Sequence, residues 1–66
     1  MKKLAAKNLE SGMIVRSKHG AIDMRVVAVN RYGNGEYGIV YNIVNREDLG
    51  QMLRTVNAGE QFNILN

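Results

Sequence analysis

From residue 13 onward, apolar and polar positions alternate in short runs that glycines keep interrupting. Between Asp23 and Arg31, Met24, Val26 and Ala28 fall on one face and Arg25, Val27, Val29 and Arg31 on the other. Between Tyr37 and about Asn45, Tyr37, Ile39, Tyr41 and Ile43 oppose Gly38, Val40, Asn42 and Val44. A period of two in β-branched and aromatic residues predicts strands. Shorter runs predict three more strands, Met13 to Ser17, Gln51 to Val56, and Gln61 to Leu65 with Phe62 and Ile64. Lys18 to Ile22 is then a connecting loop, and Arg46 to Gly50 and Asn57 to Glu60 are turns. Tyr32-Gly33-Asn34-Gly35-Glu36 predicts a hairpin, because both residues of an Asn-Gly pair tolerate positive φ. Residues 1–8 read as an arm or a single helical turn, too short to hold alone. Residues 9–66 read as the folded unit.

The two long strands carry apolar residues on both faces, so a flat single sheet would leave one of those faces wet. Curling five short strands into a small barrel answers that, since one face fills the interior and neighbours partly cover the other. The competing arrangement is an open sheet that dimerises through its second face. The expected fold is therefore all-β, a small five-stranded barrel, with Val26, Ile39, Leu53 and Phe62 in its core. A chain of 66 residues buries only about 60% of its unfolded surface, so that core is thin.

The run Leu9-x-x-Gly12-Met13-x-Val15-Arg16-Ser17-Lys18-x-Gly20-x-x-x-Met24-x-Val26 resembles the opening of SH3-like barrels. It is similar to small bacterial and phage proteins whose first hairpin reads G-D-x-V-x-L-K-S-G-G-P-x-M-T-V and, more loosely, to KOW-type modules. The match covers residues 9–29. It departs from the pattern at Met13, where an acid is usual, and at His19-Gly20-Ala21, where Gly-Gly-Pro is usual. Tyr41-Asn42 stands where a Trp-Phe pair is often found. The resemblance implies an SH3-like barrel and leaves the ligand open, since such barrels bind RNA, DNA, peptides and proteins alike.

Composition narrows the chemistry. With no Cys, the chain has neither disulfide nor thiolate. His19 is the only imidazole, and Asp23 is the only carboxylate near it in sequence, so neither a metal site nor a catalytic site is expected. Glu47 and Asp48 are adjacent and point apart, which suits a turn better than acid–base work. The glycines around Asn34 lack the Lys-Ser/Thr and the strand-to-helix context of a phosphate-binding loop. No cofactor is expected. No apolar run approaches the roughly 18 residues of a membrane span, and the apolar stretch behind Lys2-Lys3 is too short for a signal peptide, so the chain reads as cytoplasmic.

The net charge of +3 is unevenly spread. Residues 1–20 hold five Lys/Arg against one acid, and residues 47–66 hold one Arg against three acids. Two surfaces are candidates. Arg16, Lys18, His19, Arg25, Arg31 and Tyr32 combine cations with an aromatic ring, which suits phosphates and stacked bases. Tyr37, Val40, Tyr41 and Met52 offer an apolar stripe for a protein partner, beside sheet edges that accept a further strand. The expected function is a non-catalytic binding module attached to a larger protein or assembly, as an accessory subunit or a phage-type modulator of a host machine. Nucleic-acid binding is the alternative, and self-association is a further mode of protein binding.

Overall fold

The computed structural model describes residues 2–17, 20 and 22–66. Among these, six strands form: β1 (Lys2–Ala5), β2 (Ile14–Ser17), β3 (Asp23–Arg31), β4 (Glu36–Ile43), β5 (Met52–Asn57) and β6 (Gln61–Ile64). Short 3₁₀ turns occupy Ala6–Asn8 and Glu47–Leu49. The strands make one antiparallel sheet in the order β1-β6-β2-β3-β4-β5. The all-β expectation holds. Six strands form where five were expected, and the sheet is open rather than closed into a barrel, with β1 and β5 each paired on one side only among the described residues. The segment expected as an arm is a strand in its own right, because β6 offers it a ladder from Lys2↔Ile64 to Ala5↔Gln61.

The sheet cannot lie flat. Ala58, Gly59 and Glu60 alone connect β5 to β6, a link that reaches about 14 Å fully extended. In a flat sheet those strands, four positions apart, would be about 19 Å from each other. The sheet therefore rolls toward itself. Turns meet where it does so: the Ala58 N–H donates to Gly35 O, the Lys7 N–H to Ala58 O and the Ala6 N–H to Glu60 O. On the inner side Arg54 of β5 reaches Ser17 of β2, Nη2 to Oγ 3.5 Å, and also Glu60 at 3.6 Å.

The concave face is the core. Val15, Met24, Val26, Ile39, Val56 and Phe62 are buried there with Ala6 and Leu9, and Leu4, Met13, Val29, Tyr37, Tyr41 and Ile64 pack around them. Phe62, Ile39, Val15 and Val26 are the largest side chains fully removed from solvent. Three of the four expected core residues are therefore in place. Leu53 is not, being 60% exposed. Its register partner is Val40, on the convex face, and Val56 supplies the core contact of β5.

A register shift in β3 between Val26 and Ala28 alters the expected faces. Val26 pairs with Tyr41 and Ala28 with Val40, so Val27 is the extra residue of a β-bulge. Beyond it the parity inverts. Met24, Val26, Val29 and Arg31 share the core face, whereas strict alternation placed Val29 and Arg31 opposite Met24. Ala28 moves to the convex side with Arg25 and Asn30.

The β3–β4 turn falls where expected, with different chemistry. Gly33 and Gly35 take positive φ (86° and 84°), and Asn34 does not. The Asn34 side chain instead clamps Glu36: Oδ1 accepts the Glu36 N–H at 3.1 Å and Nδ2 donates to Glu36 Oε1 at 3.1 Å. At the other end of β4 the Glu47 carboxylate accepts from Arg25 Nη1 at 3.2 Å and from the Asn45 N–H at 3.3 Å, tying the next turn to β3.

Phe62 lies between Leu4 and Ser17 in register and is fully buried. Phe62→Ala should cost about 3–5 kcal/mol, comparable to the whole stability of so small a domain. Urea denaturation should show a collapsed midpoint or no folded baseline, and a parent-like midpoint would contradict this packing.

Candidate interaction surface

The convex face of β3, β4 and β5 is built from residues that alternate with the core. Ala28, Val40 and Leu53 lie in one row across the three strands, and Asn30, Gly38 and Thr55 in the next. Tyr32 leaves the end of β3 and turns back over this second row. A Cβ built on Gly38 would fall on the Tyr32 hydroxyl and ζ carbon, with Leu53 Cδ1 3.2 Å away. The missing side chain of Gly38 is thus the seat of the Tyr32 ring. Gly38 is buried beneath it, while Tyr32 stays 46% exposed. The result is a platform of Tyr32, Val40 and Leu53, with Ala28 at the end of the row and no formal charge in either row.

The apolar stripe expected from sequence is divided by this geometry. Tyr37 and Tyr41 face the core side and pack against the buried cluster. Met52 pairs with Tyr41 on that same face, at the sheet's edge, and is exposed. Only Val40 lies on the convex face. Leu53, the most exposed large apolar residue among those described, was missed because its position in an alternating run looked like core. Its signal was the pairing with Val40, which needs the register.

The cationic set is likewise dispersed. Arg16 and Arg25 sit on the convex face of β2 and β3, each beside a carboxylate: Arg16 Nη2 is 2.6 Å from Asp23 and Arg25 Nη1 is 3.2 Å from Glu47. Arg31 is six residues from Arg25, about 20 Å along the strand, and on the opposite face. Tyr32 belongs to the apolar platform. Lys18 and His19 lie outside the described residues. Arg46 and Arg54 are paired too, with Asp48 and Glu60. Among the described residues no cluster of three His, Cys, Asp or Glu is placed to hold a metal, and no helix is long and apolar enough to cross a membrane.

The Tyr32–Gly38 contact has a measurable consequence. Gly38→Ala should destabilise the protein by about 1–3 kcal/mol, because the new methyl displaces the ring. In a Tyr32→Ala background the same change should cost much less, since the obstacle is gone. A double-mutant cycle read by denaturant melts checks this, and equal costs in both backgrounds would mean that the ring does not rest on Gly38.

No protein-family model matches this chain, and no characterised protein or solved structure does either.

Proposed function

We propose that this chain is a non-catalytic binding module of SH3-like character, which attaches to a larger protein or assembly through the convex platform of Tyr32, Val40 and Leu53. The observation that carries this reading is the exposure of Leu53 amid an uncharged, partly apolar pair of rows. A lone exposed leucine is ordinary, but one flanked by an aromatic ring held in place over a glycine is a preorganised contact area. Aromatic and aliphatic anchors of this kind carry most of the binding energy at protein interfaces, while rim charges mainly set encounter rates. The barrel reading is supported by the return of β6 to the side of β2 and by the rolling that the short β5–β6 link requires.

The nucleic-acid alternative has less behind it. A phosphate-binding face needs cations free to release condensed counterions. Arg16 and Arg25 are already held by Asp23 and Glu47, and Arg31 lies on the other face.

The two readings separate in one set of variants. Leu53→Asp should leave the fold intact, since the side chain is exposed, and should abolish partner capture from a lysate of the source cells. Combined reversal of Arg16 and Arg25 to Glu should leave capture unchanged. Retained capture by Leu53→Asp would refute the platform. Tight, salt-sensitive binding of RNA or DNA that the double reversal destroys would establish the alternative.

A further inference from the structure

The two edges of the open sheet differ. The β1 edge is four residues long and carries Lys2 and Lys3, a charged guard of the kind that blocks edge pairing. The β5 edge is six residues, Met52–Asn57, with no proline and no bulge against β4, and Arg54 is its single charge.

Hydrogen-bond alternation identifies which backbone groups β5 leaves free. The Ala58 N–H donates to Gly35 O, and these two residues continue the β4–β5 register one step beyond Glu36↔Asn57. In an antiparallel ladder, bonded and non-bonded pairs alternate. The bonded pairs are then Tyr37↔Val56, Ile39↔Arg54 and Tyr41↔Met52. Leu53, Thr55 and Asn57 aim their N–H and C=O groups away from β4. The far side of β4 agrees: the Tyr32 N–H donates to Glu36 O, which assigns the even-numbered residues of β4 near the turn to β3. Among the described residues one of these β5 groups has a partner, the Asn57 carbonyl, which accepts the Glu60 N–H at 3.0 Å.

We propose that a second copy of this chain adds to the β5 edge, antiparallel, about a two-fold axis through Thr55. Thr55 is the midpoint of the free groups, and this register sets Thr55 against its own copy and Leu53 against Asn57. The Thr55 pair would exchange two hydrogen bonds. Each Asn57 N–H would donate to the Leu53 carbonyl of the other copy. Residues that share a face remain on that face, because a two-fold normal to the sheet preserves sides. On the inner face Arg54 opposes Val56, so no like charges meet, and opposed threonines are a favourable cross-strand pair. Centring the axis on Arg54 would put the two guanidinium groups opposite each other and would match groups already bonded to β4. Strand pairing of this length covers less than the roughly 800 Å² per partner of a standard interface, so the dimer should be reversible. It uses backbone groups at the edge and does not depend on the convex platform having a partner.

The test is sedimentation equilibrium of the whole chain from micromolar to millimolar concentration, with circular dichroism to confirm folding. The wild type should show a reversible monomer–dimer equilibrium. Thr55→Pro should remove the dimer while leaving the β4–β5 ladder, since the Thr55 N–H faces away from β4. Should that variant unfold, the axis still yields a sharper pair. Thr55→Lys alone and Thr55→Glu alone each set like charges face to face and should be monomeric, whereas their mixture should form a heterodimer. A wild type that stays monomeric at millimolar concentration overturns the proposal. A folded Thr55→Pro that still dimerises, or Lys and Glu variants whose mixture gains nothing, would also overturn it. Leu53→Asp failing to lose an external partner would bear only on the platform.

Discussion

The insertion of β6 between β1 and β2 holds this molecule together. Phe62 is brought by that insertion into register with Leu4 on one side and Ser17 on the other, and it is fully buried. Without the return of β6, β1 would have no ladder and the N-terminal segment would be the loose arm its length suggests. The core would also lose its only phenylalanine and Ile64. The short link from β5 makes the return a bending constraint, because three residues cannot cross a flat sheet of this width. Burial of one continuous face and rolling of the sheet are thus the same event.

A single extra residue then decides what the outside looks like. The bulge at Val27 inverts the parity of β3 halfway along. The apolar content of the strand's second half is shared between the core, through Val29, and the convex face, through Ala28. The convex row Ala28–Val40–Leu53 exists because of that inversion. Its neighbour Asn30–Gly38–Thr55 provides the shallow seat on which Tyr32 rests. A strictly alternating β3 would have placed Val29 outside and left the aromatic ring a different floor.

Electrostatics shapes the surface by cancellation. Four arginines have carboxylates within 4 Å, in pairs that are largely solvent-exposed and so contribute little to stability. Each pair offsets the charge of its arginine locally, so Arg16 and Arg25 add little to a positive face, while Lys2, Lys3 and Lys7 stay together along β1 and the turn after it. The edges carry a similar asymmetry. Lysines guard β1, while β5 presents free backbone groups beside the platform.

Local patterning along the chain marks the five strands β2 to β6, the bounds of β3, the position of the turn after it and the burial of Val26, Ile39 and Phe62. These follow from local rules: alternation, glycine at turns, and apolar residues that cannot be left in water. Tertiary pairing sets which side of β3 faces inward beyond the bulge, since one inserted residue flips parity without changing the composition of the run. It also decided that Leu53 is outside, because an alternating apolar position is core or surface according to the strand it pairs with. Residues 2–5 become a strand only because a partner edge is offered to them from the far end of the chain. The candidate surface was legible in part, as Tyr32 and Val40 but in separate sets. Their union depends on the absent side chain of Gly38, a contact between residues that no local pattern in the chain connects.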